Sequence, residues 1–169
     1  MTVSRTTFAF VALATGLALG GCGGDKPQPA SSQPSTPPAA GSAIDACKLV
    51  SADDIAKLLG KPVEGRAIGG SPDAPACTWE NRETYESVTL EIGKPGTAAN
   101  GTLAPPDPGL GDVGTPGPDG MRYLASGMVE FPAGGRANTV QVAVLALMGP
   151  DADNAAVDLA RKIEPQLPQ

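Results

Sequence analysis

No histidine occurs anywhere in the 169 residues. That absence excludes nucleophile activation of the Ser-His-Asp and Cys-His kinds, His-ligated zinc and a histidine pH sensor. Aromatic residues make up only 4% of the chain, and the 12 basic residues stand scattered rather than clustered. Nucleic-acid binding draws on clustered Lys and Arg to release phosphate counterions and on aromatic stacking platforms, so no nucleic-acid partner is expected. No apolar run reaches the roughly 20 residues that a membrane-spanning helix needs. What the chain has in quantity is 22 glycines and 18 prolines, about a quarter of its length. A chain of this size fits one domain with something attached, and these residues are concentrated in two places.

The amino terminus carries the clearest signal. Arg5 forms a short positive region, and Phe8 to Leu19 is apolar apart from Thr15 and Gly16. A run of that length is a signal-peptide core rather than a span. It leads into Leu19-Gly20-Gly21-Cys22, which resembles the bacterial lipobox. The resemblance implies cleavage after Gly21, a diacylglyceryl group on the Cys22 thiol and acylation of the new amino terminus. The residue types suit that chemistry: glycines let the backbone lie close in a peptidase groove, and a thiolate is the nucleophile that forms a thioether. An ordinary signal peptide with an incidental free Cys22 is the alternative. Residues 1–21 are expected to be the signal. Two acyl chains at Cys22 suffice for stable anchoring, so the expected location is the extracytoplasmic face of the cell membrane.

Residues 22–43 read as a tether. Eight of the 21 residues after Cys22 are Gly or Pro, and none is a large apolar residue. Such a segment cannot bury enough surface to offset its ordering entropy. It would reach roughly 25 Å as a coil and about 65 Å as polyproline II. A Pro-rich recognition motif is the other reading, but no spaced PxxP stands beside basic residues. Removing residues 1–21 leaves 11 basic and 18 acidic residues, a net charge of −7.

Residues 44–169 are expected to form a single domain. Val50-Ser51-Ala52-Asp53-Asp54-Ile55 predicts a helix start, with Ser51 capping the Asp54 amide, Asp54 reaching back, and Val50 and Ile55 as a hydrophobic staple. Ile55, Leu58 and Leu59 give the apolar face, and Gly60 then Pro62 end it. A nucleophilic Ser51 with an acidic partner is disfavoured, because no histidine or adjacent lysine is available to activate it. Cys77 to Glu80 and Ser87 to Ile92 predict strands, the second by strict alternation. Met121 to Phe131 and Thr139 to Met148 predict a hairpin with a longer loop over Pro132 to Asn138. Val140, Val142 and Val144 line one face of the last strand, and Leu145 and Leu147 suggest that its other face is buried, which would make it central. A closing helix, capped by Asp151 or Asp153, buries Ala156, Leu159, Ala160 and Ile163; Arg161 and Lys162 complement its dipole, and Pro165 stops it. The fold class expected from this order is α+β: an antiparallel sheet of about four to five strands flanked by an N-terminal and a C-terminal helix.

With Cys22 assigned to lipid, Cys47 and Cys77 remain outside the cytoplasm, where disulfides persist. Pairing them closes a 30-residue loop. A redox pair would favour CxxC spacing, and a metal would need further soft ligands, so a structural disulfide is the expected state. Residues 93–120 hold 14 Gly or Pro in 28 positions. Gly109-Leu110-Gly111-Asp112-Val113-Gly114 matches a dinucleotide fingerprint by letters only, since prolines flank it where a strand and a helix would be needed. Asp107, Asp112 and Asp119 lack calcium-loop spacing, but long loops commonly carry binding function, and these three mark the candidate binding surface. No metal or cofactor is expected.

Asp45-Ala46-Cys47-Lys48-Leu49-Val50-Ser51, Leu58-Leu59-Gly60, Cys77-Thr78-Trp79 and Gly109-Leu110-Gly111-Asp112 together resemble a domain-of-unknown-function family of actinobacterial (mycobacterial-type) envelope lipoproteins. The likeness runs over residues 44–166 and extends to the signal and tether. It implies an envelope location and an α/β sandwich similar to the small Mog1/PsbP-type domains, and it implies no activity. The expected function is a non-enzymatic module that binds an envelope protein or a ligand. A lipid or glycolipid carrier is the alternative, and a carboxylate-dependent envelope hydrolase the remote one.

Overall fold

The computed structural model describes residues 43–106, 109 and 114–168. The signal, Cys22 and most of the tether therefore lie outside the described residues. One helix, α1 (Ala52–Leu59), precedes seven strands, and a second, α2 (Pro150–Ile163), follows them. The strands are β1 (Arg66–Ser71), β2 (Ala74–Asn81), β3 (Glu86–Glu91), β4 (Thr115–Pro116), β5 (Arg122–Ala125), β6 (Met128–Ala133) and β7 (Arg136–Ala143). All pairings are antiparallel, in the order β1-β2-β3-β7-β6-β5-β4.

The fold is α+β, as the pattern of helices around strands predicts, with β7 at the centre. One face of the sheet is apolar. Trp79, Val88, Leu90, Val140, Val142, Val129 and Phe131 alternate inward and are buried. Ile55 and Leu59 of α1, with Ala156, Leu159, Ala160 and Ile163 of α2, join them in one core. Residues between these on the strands, such as Thr78, Thr89, Gln141 and Glu130, are only half-buried. The structure is therefore a two-layer one: helices cover one face and the other is polar.

The helix start at α1 follows its sequence closely. The Ser51 hydroxyl accepts from the Asp54 amide at 3.1 Å and donates to the Asp54 carboxylate at 2.7 Å. Gly60 ends the helix in the left-handed region at φ 72°, which an L side chain adopts only at a cost.

Four expectations need correction. The sheet has seven strands, not four to five: β1 (RAIGGS) lacks apolar alternation, and β4 has only two residues. Residues 121–131 do not form one strand, because Ser126-Gly127 turns the chain between β5 and β6. The loop expected over Pro132 to Asn138 is only a two-residue turn at Gly134-Gly135, both at positive φ. Paired glycines at positive φ match the twist of a tight hairpin, so β6 and β7 run on through Ala133 and from Arg136. Finally, β7 stops at Ala143, so Leu145 caps no buried face and is 78% exposed.

The start of α2 also differs. Gly149 takes the cap position, with Pro150 in the first turn and no side-chain cap. Asp151 and Asp153 fall inside the first turn, where carboxylates suit the positive end of the helix dipole.

Candidate functional site

Gly21 and Cys22 of the lipobox lie outside the described residues, as do Asp107 and Asp112 of the candidate surface. Asp119 is described and sits in a short turn, Pro118–Gly120. Its carboxylate accepts from Arg161 Nε at 2.9 Å and pairs with Arg161 Nη2 at 2.8 Å. Asp119 thus ties the Gly/Pro-rich loop to α2.

Cys47 and Cys77 are joined by a disulfide, with Cα atoms 5.1 Å apart. The bond fastens the segment before α1 to β2, beside Trp79. Gly65 packs over it: a Cβ there would meet Trp79 Nε1 at 2.7 Å and Cys77 Sγ at 2.8 Å.

Tertiary folding brings a lysine not to Ser51 itself but to its carboxylate partner Asp54. Lys162 of α2 donates to Asp54 at 2.6 Å, and Asp54 in turn holds Ser51. The hydrogen bond from Lys162 first, and that from Ser51 second, lower the Asp54 pKa below the usual carboxylate range. The Ser51 hydroxyl is engaged as the cap of α1 and gives its proton to a carboxylate that a lysine already holds. The cluster is a brace between the two helices.

The surface feature that stands apart is a groove at one end of the sheet. It forms where the turn from β2 to β3 meets the connection from β7 to α2, and encloses about 410 Å³. Tyr85 is 80% exposed there, Leu145 78% and Met148 77%. Val144 and Ala152 form apolar floor between them. Isolated exposed apolar residues are ordinary, but several on one concave rim make this groove the candidate site.

The groove walls are held by carboxylate-to-backbone bonds. Glu86 accepts from the Leu145 amide at 2.9 Å and from the Thr84 hydroxyl at 2.8 Å. Asp153 accepts from the Gly127 amide at 2.7 Å. Tyr85 has φ 62°, an outlier for a bulky residue; its amide bonds Asn81 O at 2.7 Å. Asn81 is buried, and its side chain donates to Leu59 O at 3.2 Å and accepts from Glu83 N at 3.1 Å. The turn presenting Tyr85 is thereby anchored on the end of α1.

Chemically, this arrangement offers apolar contact with a few acceptor oxygens. Among the described residues, no group of three or more Cys, Asp or Glu is placed to hold a metal ion. No helix there is long and apolar enough to cross a membrane. Sequence reasoning missed the groove because Leu145 and Leu147, out of step with Val140, Val142 and Val144, read as a second buried face of the last strand. The available signal was Gly149-Pro150, which bounds the run Leu145 to Met148.

Comparison with known proteins yields a match to a family model described as protein of unknown function (DUF3558), over residues 17–113. That span covers more than half the chain and includes Cys22, Cys47 and Cys77. No curated protein and no solved structure matches.

Proposed function

The chain belongs to the DUF3558 family of proteins of unknown function, and from that premise we propose that it is a bacterial envelope lipoprotein whose domain is a non-enzymatic binding module. Cys22 carries the lipid anchor on the extracytoplasmic face, residues 23–43 act as the tether, and the domain binds an envelope partner through the Tyr85–Met148 groove. The observation that carries the binding reading is the rim of that groove, where Tyr85, Leu145 and Met148 are each more than three-quarters exposed. The lipobox letters support the anchor. A disulfide supports an oxidising compartment.

A carrier for lipid or glycolipid would hold its cargo between sheet and helices. That space is occupied by the fully buried side chains of Phe131, Ile163 and Leu90, which favours the binding module.

Two measurements test the proposal. Cys22→Ala is expected to release the protein from membranes into the soluble fraction; retention in the membrane would overturn the anchor. A photo-crosslinking residue at position 148 in the lipidated chain is expected to give crosslinks to another envelope protein, lost when Leu145 is changed to Ser. Crosslinks that ignore Leu145, or none at all, would overturn the groove as the binding surface.

A further inference from the structure

We infer that the groove takes an apolar peptide segment bearing lysine or arginine, contributed by a different protein; this rests on the binding reading above. A second cleft, of about 300 Å³, lies beside the first and shares Ser126 and Gly149 with it. The two adjoin each other at the start of α2. The second adds Leu124 to the rim. The large hydrophobics exposed among the described residues are Tyr85, Leu124, Leu145 and Met148, and all four line these two adjoining clefts.

The charges around them have one sign. Glu86 lines the first cleft and Asp153 the second, and among the described residues no lysine or arginine lines either. Arg82, in the same turn as Tyr85, is not a lining residue. Each carboxylate already holds one backbone amide but has further acceptor positions, since an ionised carboxylate can accept several hydrogen bonds.

That pairing of apolar rim and acidic wall selects among occupants. A second copy of this chain seated on the same patch by two-fold symmetry would bring one acidic wall against the other, with no lysine or arginine of the lining to offset it. An anionic lipid surface would be repelled by the same groups. A purely apolar ligand would desolvate the carboxylates without a counter-charge, at a cost. A basic, apolar segment covers Tyr85, Leu145 and Met148 and brings donors to both carboxylates. Charge complementarity then sets specificity and apolar burial the affinity.

The test uses the lipidated chain in phosphatidylcholine nanodiscs, with empty discs as the blank. The probes are a dye-labelled Leu/Lys alternating peptide and its Leu/Glu counterpart, followed by fluorescence anisotropy. The Leu/Lys peptide is expected to bind, more weakly as salt rises, and the Leu/Glu peptide about tenfold less tightly. Leu145→Ser with Met148→Ser is expected to cost about tenfold in affinity with the urea midpoint unchanged, both residues being exposed. Glu86→Gln with Asp153→Asn keeps an oxygen for the Leu145 and Gly127 amides and is expected to abolish the preference between the two peptides. Equal binding of both peptides by the unaltered protein, or binding indifferent to Leu145→Ser and Met148→Ser, overturns the assignment. So does a concentration-dependent dimer, or binding to phosphatidylglycerol vesicles, that Leu145→Ser and Met148→Ser abolish. Leu145-dependent crosslinks from position 148, found without Leu/Lys binding, would leave the binding module standing and overturn only the basic partner.

Discussion

Asn138 is fully buried, and each end of its amide is used. Its oxygen accepts from the Gly93 amide at 3.2 Å, and its nitrogen donates to the carbonyls of Ala133 at 3.2 Å and Arg136 at 3.1 Å. One side chain therefore closes the β6–β7 turn and ties it to the chain leaving β3. Asn138→Ala would strand those groups away from water, and a loss of about 2 kcal/mol is expected, read as a lower urea midpoint. Gly65 is the opposite case, a position where there is no room. Gly65→Ala is expected to cost about 1–3 kcal/mol through overpacking against Trp79 and the disulfide, checked the same way. Neither residue is visible to hydrophobic periodicity. Asn138 falls in what reads as a polar loop, and Gly65 falls outside any periodic segment. Their roles depend on partners 45 residues and more than ten residues away in the chain, which no local pattern encodes.

The elements divide according to how local their determinants are. Helix α1 was legible because its cap, its staple and its Gly60 stop lie within about three turns of one another. Ser51→Ala is expected to cost about 1 kcal/mol, measurable by thermal unfolding. Helix α2 was legible in its buried face but not at its start, where Gly149 and Pro150 replace an acidic cap. What joins the helices, the Lys162–Asp54 pair, could not be read from either. It carries a pH signature. The Asp54 pKa is lowered in the fold by the Lys162 and Ser51 hydrogen bonds, so the folded chain favours the ionised carboxylate. That contribution is complete above the ordinary carboxylate range and is lost as pH falls below about 4 through the depressed value. Stability is expected to drop on acidification in that window, and Asp54→Asn to flatten the drop; an unchanged acid limb in urea titrations at successive pH values would contradict the brace. The strands β1 and β4 escaped notice for a different reason. Each is an edge strand of the sheet, and an edge needs only one partner's backbone, not an alternating apolar face.

At the scale of the whole described domain, a covalent link and the Tyr85–Met148 groove each join segments far apart in the chain. The Cys47–Cys77 bond closes a 30-residue separation, for which chain entropy gives about 3.5 kcal/mol. Reduction is expected to lower the unfolding midpoint by a corresponding amount, and alkylation of both thiols without prior reduction would show the bond absent. The groove has no counterpart in any single segment. It is assembled from Tyr85 and Glu86, from Ser126, and from Val142 through Ala152, three stretches that meet only because β7 lies beside β3 and β6. Loop length alone points to Asp107, Asp112 and Asp119 as a candidate surface. Asp119, the one of the three that is described, serves an ion pair to Arg161 instead. From sequence alone came the α+β class, the first helix, the inward faces of β3 and β7, the cysteine pairing and the expectation of an anchor at Cys22. The anchor rests on the resemblance to the lipobox; the other features follow from side-chain period, capping and elimination, which act over a few residues or over the whole composition. Strand number, the brace between helices and the exposure of Leu145 and Met148 were decided only by tertiary structure. Whether an apolar residue ends up buried depends on what packs over it: past Ala143 the chain turns Val144 into the core and leaves Leu145 and Met148 facing solvent.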